Sequence, residues 1–354
     1  MTETSPETRI RVQRRHGVGH LTLDRPRAIN ALDLGMVEDL HGALDAWRED
    51  PDVGIVLLDG AGDRGLCAGG DVRGLYEQIV AGRPGDTALF FRAEYALNAA
   101  IAEYPKPVVV LADGITMGGG IGLAGHAAVR VVTERSRLAM PETRIGFTPD
   151  VGGTWLLGRA PGRLGEYLAL TGTTMDAADA IHAGFADHLV PSEHLPELHH
   201  ALETRADPHT PTELVLLFDA TAGPSRLQAD REWIDDAFAG DTVADIVARL
   251  RARPEPAASA TADELETLSP TALTVTLAAV RRARGLPDLW AALAQEYGLV
   301  MWFAQTQPDL VEGIRAQLVD KDRSPRWHPG ALADVDPGIA EEALAFVPDV
   351  PLWS

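Results

Sequence analysis

Residues 113–153 read DGITMGGGIGLAGHAAVRVVTERSRLAMPETRIGFTPDVGG. Three consecutive glycines, Gly118, Gly119 and Gly120, are followed by two carboxylates, Glu142 and Asp150, about one strand and one turn further on. Glycine lets a backbone amide come close to a ligand, and a carboxylate held near apolar side chains can serve as base or nucleophile. A carbonyl that must be polarised and then attacked needs both, so the stretch points to acyl transfer.

Upstream, residues 19–23 (GHLTL) read as a strand and DRPRAINAL as a turn in which Pro26 forbids continuation. Asp33 is placed to cap a helix over residues 34–47, where Met36, Leu40, Leu44 and Trp47 recur at spacings of four, four and three. Residues 54–59 (GIVLLD) and 107–112 (PVVVLA) are short continuous apolar runs of the kind buried on both faces of a sheet. A helix is expected over residues 87–104, further strands at 128–132 and 137–140, then a helix over 178–185 that ends at Gly184 and a last strand in DHLVP. Apolar strands that end in Gly or Asp and alternate with helices describe an α/β core with functional loops at the strand ends. No exact repeat is visible, so any repeat architecture is one of shape alone.

Past residue 200 the texture changes. Residues 203–213, 221–230 and 252–262 are rich in Pro, Ala, Ser and Thr and read as connectors. Between and after them come helices: Ser269 caps Pro270 at the first helical position of a helix over residues 271–284, a second spans 287–305 and a third 308–318. The expected boundary lies near residue 205, with the α/β core in 1–205 and a helical domain in 206–354.

The 354-residue chain is 45% hydrophobic and carries a net charge of -21, which argues against nucleic-acid or anionic-membrane partners. Residues 1–9 are polar, without the apolar run of a signal peptide, and no segment reaches the length of a membrane span. A cytoplasmic location is the expectation. Cys67 is the single cysteine and no His/Cys cluster has zinc spacing, so a metal-free protein in a reducing compartment is expected.

A second glycine loop, residues 65–74 (GLCAGGDVRG), also follows a buried strand. Gly69 and Gly70 can expose an amide, and Asp71 can cap the next helix. Two strand-end amides from separate loops make an oxyanion hole, which stabilises charge developing on a thioester or ester oxygen. Taken singly, Glu142 fits a solvated surface glutamate and Asp150 fits the N-cap of a helix starting at Val151; the two glycine loops favour chemistry for both.

The pieces RPRAINAL, LCAGGDVR, FFRAEYALN, ITMGGGIGL, AMPETRIGFTPDVGG, QEYGLVMWF and DLVEGIRAQLVDKDRSPRW carry a resemblance spanning residues 19–327. The chain resembles the crotonase (enoyl-CoA hydratase/isomerase) superfamily, and within it the hydrolases of 3-hydroxyisobutyryl-CoA. The resemblance implies a spiral α/β core of β-β-α turns with the acyl-CoA site in residues 1–205, a C-terminal helical domain, and a place in valine catabolism. It implies that the amides of Gly70 and Gly119 form the oxyanion hole, that Glu142 and Asp150 are the catalytic acids, and that Glu94 contacts substrate. Residues 68–71 (Ala68, Gly69, Gly70, Asp71), with Arg27 and Ala28, are implied to lie along the CoA moiety. Lys321 and Arg323 are the best basic candidates for its phosphates. No cofactor is expected beyond the CoA of the substrate, and a homo-oligomer, trimer or hexamer, is open because superfamily members often form them.

One departure separates activities. Enoyl-CoA hydratases carry a glutamate three residues after the middle glycine, and here that position is Gly122. Hydration of a double bond uses two carboxylates on one water, so the loss favours thioester hydrolysis. A hydratase or isomerase, and a CoA-binding protein without turnover, are the competing functions. His126 and His182 read as packing or surface histidines, and residues 299–303 (LVMWF) as helix core or subunit interface.

Overall fold

The computed structural model describes residues 9–205 and 210–353. The polar tail and part of the 203–213 connector lie outside these residues. The strands are β1 (Ile10–Arg15), β2 (Val18–Leu23), β3 (Ile55–Gly60), β4 (Val108–Ala112), β5 (Ile115–Met117), β6 (Val129–Val132), β7 (Arg137–Ala139) and β8 (His188–Leu189). Six form one sheet in the order β1-β2-β3-β4-β6-β8, parallel except for the antiparallel β1/β2 pair, and β5 and β7 form a second, parallel ladder.

The helices before residue 206 are α1 (Leu34–Arg48), α2 (Val72–Val80), α3 (Thr87–Ala102), α4 (Gly119–Ala124), α5 (Gly153–Arg159), α6 (Leu164–Thr171), α7 (Ala177–His182) and α8 (Leu195–Arg205). After it come α9 (Pro211–Leu216), α10 (Arg226–Ala229), α11 (Arg231–Ala237), α12 (Val243–Ala252), α13 (Pro256–Leu265), α14 (Pro270–Ala283), α15 (Leu289–Thr306), α16 (Pro308–Ile314) and α17 (Ile339–Ala345).

Helix α1 forms as its spacing dictates. Asp33 accepts a hydrogen bond from the Met36 amide at 3.0 Å, and Met36, Leu40, Leu44 and Trp47 are buried. The main sheet is covered on both faces, which is why β3 and β4 read as unbroken apolar runs. Leu21, Val56, Leu58, Val108 and Val110 join the larger core with α1 and α3, while Val18, Ile55, Leu57, Val109 and Leu111 pack beneath Leu198 and Leu202 of α8. The helices after residue 205 sit directly on the α/β core: α14 packs on α5 and α6, α15 on α3, and the larger apolar cluster runs from Ile10 to Leu352. Glu166, fully buried on α6, is held by Arg163 at 2.7 Å and by Arg284, just past α14, at 2.6 Å. A buried carboxylate held by two guanidiniums ties the two parts together.

The second ladder positions the site. Isolated bridges pair Leu32 with Gly70 and Cys67 with Thr116, and β5 pairs Thr116 with Leu138 of β7. Cys67, Thr116 and Leu138 are therefore side by side on successive turns of the chain. Three residues on from each stand Gly70, Gly119 and Pro141, and Glu142 follows. The turns pack backbone to backbone: a Cβ added at Gly65 would stand 2.4 Å from the Ile115 nitrogen.

Two sequence expectations need correction here. The connectors read at residues 221–230 and 252–262 contain α10 and most of α13, the latter with Pro256 in its first turn. Proline fits there because the first helical amides need no partner. β1 was not anticipated, and its burial pattern explains why: in IRVQRR only Ile10 is buried, as suits an edge strand facing water.

Candidate acyl-transfer site

A cleft of about 470 Å³ opens where these turns end, lined by residues 68–71, Gly118, Gly119, Glu94, Glu142 and Asp150, with Phe90, Phe91 and Phe147 as apolar wall. Mostly apolar walls with a few convergent polar groups are the usual build of a small-molecule site. Gly70 and Gly119 are neighbours across it: a Cβ at Gly119 would stand 3.3 Å from the Gly70 nitrogen and 2.5 Å from Glu94 Oε1. Among the described residues no loop or turn carbonyl accepts from either amide, whereas the Gly118 amide is used on Ala139 O. Gly119 is the first residue of α4, so its amide also lies at the donor end of that helix. Gly118 has a φ of +49°, a conformation glycine adopts readily, and a Cβ there would reach to 3.0 Å from Glu142 Oε1.

The three carboxyls are nearly sealed: Glu94, Glu142 and Asp150 are 2%, 7% and 6% exposed. Burial, then the Asp150 charge, hold Glu142 and Glu94 well above the usual glutamate range, and burial raises Asp150 to about 7 despite its hydrogen bonds. Glu94 Oε1 and Glu142 Oε2 are buried without a hydrogen-bond partner among the described residues. Buried oxygens left open in an apolar pocket are costly unless a ligand or water meets them.

The surface reading of Glu142 and the N-cap reading of Asp150 both fail. Glu142 begins a 3-10 turn under the cleft, and α5 begins at Gly153 with no side-chain cap. Asp150 instead accepts the Tyr95 hydroxyl at 2.8 Å. Asp71 does not cap α2 through its side chain either; it pairs with Arg25 at 3.0 Å, which fastens the glycine loop of residues 65–74 to the RPRAIN turn. The Ala68 amide donates to Ile29 O at 2.9 Å in the same joint. Arg27, exposed, and Ala28 stand on the 3-10 turn Pro26–Ala28, outside the cleft lining. Lys321 and Arg323 are exposed just beyond Leu318, which does line the cleft. Cys67 is buried with its thiol pushed up to about 12, unsuited to act as a nucleophile.

Two supports for the site escaped the sequence reading. Tyr95 is one. The other is Glu296 of α15, fully buried, which accepts from the Gly152 amide at 2.6 Å, from the Thr154 amide at 2.8 Å and from the Thr154 hydroxyl. The turn it grips is strained: Val151 has a φ of +53°, rare for a β-branched residue. His126 holds the same turn, 2.8 Å from Val151 O, and burial lowers its pKa to about 4, so it stays neutral. A lone glutamate in the apolar run LAQEYGLVMWF was the available signal for Glu296.

Gly122 is closed to any side chain. A Cβ there would stand 2.7 Å from Asn98 Nδ2 and 2.8 Å from Val151 Cβ. The space a hydratase would fill with its second glutamate is occupied by other groups.

Among the described residues no helix is long and apolar enough to cross a membrane. The sequence profile of enoyl-CoA hydratase/isomerase matches residues 18–344. The chain is 38% identical over 336 residues to the mitochondrial 3-hydroxyisobutyryl-CoA hydrolase of Gallus gallus, covering 92% of this chain and 86% of that one. It is 40% identical over 326 residues to the Xenopus laevis counterpart, covering 90% and 83%. The crystal structure of a carnitinyl-CoA dehydratase from Mycobacterium thermoresistibile is 47% identical, covers 98% of both chains and superposes with a TM-score of 0.93. With the profile matched over residues 18–344 and a TM-score of 0.93 along nearly its whole length, the chain has the crotonase fold and belongs to the enoyl-CoA hydratase/isomerase family.

Proposed function

We propose that the protein hydrolyses a short-chain 3-hydroxyacyl-CoA thioester, with 3-hydroxyisobutyryl-CoA as the leading substrate. The observation that carries this is the pair of amides at Gly70 and Gly119, without a loop or turn acceptor among the described residues, beside the open oxygen of Glu142. The thioester oxygen sits between the two amides, which stabilise the negative charge that grows there during attack. Glu142 lies on the far side of Gly118 and either attacks the carbonyl itself or takes a proton from an attacking water. Asp150, oriented by Tyr95, meets the 3-hydroxyl of the acyl group or moves the proton to the departing thiol. Glu94, beside Gly119, is placed to contact the acyl chain. The curated relatives named above as 3-hydroxyisobutyryl-CoA hydrolases support the substrate.

A second reading, addition or removal of water across a double bond, draws on the likeness to the carnitinyl-CoA dehydratase, 47% identical. The filled space at Gly122 counts against it, because that chemistry asks for a second glutamate there. Release of free thiol from 3-hydroxyisobutyryl-CoA, measured beside the enoyl absorbance of the corresponding unsaturated thioester, separates the two. Thiol release that falls by about 10²-fold or more in Glu142→Gln is expected, the scale of a lost acid-base group. Near-normal release in that variant overturns the assignment of Glu142, and enoyl turnover without thiol release overturns the reaction.

A further inference from the structure

His20, Asp59 and His199 form a group that the acyl chemistry does not use. His20 is on β2 and Asp59 near the end of β3, and the parallel register sets His20 opposite Leu57 and Thr22 opposite Asp59. They are diagonal neighbours on the sheet face that α8 covers, the face of Val18, Ile55 and Leu57. His199 comes down onto them from α8 between the buried Leu198 and Leu202. His20 Nε2 is 3.0 Å and His199 Nε2 is 3.3 Å from the same oxygen, Asp59 Oδ2. One donor atom from each residue lies within 4.8 Å of the other two, and the imidazole rings stand 5.3 Å apart, tilted by 55°. Asp59 Oδ1 is buried and has no hydrogen-bond partner among the described residues.

We propose that these three side chains bind one divalent transition-metal ion, with Zn²⁺ the best fit, and that the ion clamps α8 onto the sheet. Around a tetrahedral zinc, with bonds of about 2.0–2.2 Å, neighbouring donor atoms lie about 3.3 Å apart. Two of the three separations, 3.0 and 3.3 Å, are already of that size, and the third, between the two imidazoles, lies within 4.8 Å. Two imidazoles and one carboxylate suit zinc, cobalt or nickel rather than magnesium or calcium, which ask for oxygen ligands. A water completes the shell. The net charge of -21 favours cations near the surface. No local motif announces the site, because the ligands come from positions 20, 59 and 199 and meet only through the fold. It lies on the opposite face of the main sheet from the core that holds Tyr95 and Leu58, so the ion acts on stability and not on the thioester.

The test uses the full chain without an affinity tag, stripped with EDTA, dialysed, and titrated with Zn²⁺ and, separately, Co²⁺. Expected are binding of a single equivalent, the visible absorption of tetrahedral cobalt, and a rise in melting temperature that EDTA reverses. His199→Gln and His20→Asn each lose all three signals while retaining the native circular dichroism spectrum and thioester hydrolysis. The two variants guard against one of them failing to fold. Absence of saturable binding by the unsubstituted chain overturns the site and leaves a carboxylate hydrogen-bonded to two histidines. Binding that persists unchanged in both variants also overturns it, by locating the ion elsewhere. None of these three signals depends on catalysis, so a failed hydrolase assignment and a failed metal site remain distinguishable.

Discussion

Asp150→Asn should make the protein more stable in alkali while removing most of its activity. Burial holds the Asp150 carboxyl at about 7 instead of its ordinary 3.8. At about 1.4 kcal/mol per pH unit, keeping the ionised group in the fold costs about 4 kcal/mol. Because the folded state prefers the neutral acid, that cost is absent below 3.8, grows as the pH climbs, and levels off above about 7. Between about pH 5.5 and about pH 8.5 the native protein loses roughly 2 kcal/mol through this group alone. Asparagine keeps an oxygen for the Tyr95 hydroxyl and carries no charge, so its loss over the same range is smaller by that amount. Removing the Asp150 charge also lets Glu142 and Glu94 ionise more easily, since it pushes both upward, and this flattens the curve further. Urea denaturation of both proteins at the two pH values measures the difference, and thiol release reports the accompanying fall in kcat, about 10²–10⁴-fold for a lost acid-base group. A variant no more stable than the native chain at the higher pH would refute the argument that burial raises this carboxyl.

Three further outcomes follow from named contacts. Glu296→Gln turns one acceptor of the Gly152–Thr154 grip into a donor facing a donor, which should destabilise by about 1–3 kcal/mol and lower kcat more than it raises KM, as steady-state kinetics with the thioester will show. Gly122→Glu must displace Asn98 and Val151, so a lowered melting temperature and no gain of enoyl hydration are expected; new hydratase activity would show that the missing carboxylate alone separates the two reactions. The chemistry itself should quicken as pH rises above the ordinary glutamate value of 4.5, because attack by Glu142 needs its ionised form and burial keeps that form scarce, so a kcat/KM profile already flat from that value upward would contradict its role.

The sequence exposed what is local. Glycine runs at strand ends marked the two loops, because backbone approach and turn geometry leave compositional marks, and the resemblance carried by PET and PDVGG singled out Gly70, Gly119, Glu142 and Asp150. Long-range partners leave almost none. Tyr95 and Glu296 belong to helices whose apolar pattern was legible, but their targets at positions 150–154 are set only by packing. Asp150 was open to two interpretations for the same reason: a carboxylate before Val-Gly-Gly looks like a cap until the tyrosine that claims it is seen. β1 and α13 were missed where solvent exposure or Pro-Ala-Ser composition masked regular structure.

The stacking of Cys67, Thr116 and Leu138 has a consequence for how such a chain can change over generations. Helices between the turns can lengthen or shorten at little cost, since closing a longer loop is only slightly less favourable. A single-residue insertion within β5 or β7 is different, because it turns every later side chain of that strand to the opposite face and moves Gly119 or Glu142 out of line. Length variation among related chains should therefore collect between α2 and α3, in residues 81–86, and be absent from 115–120 and 137–142.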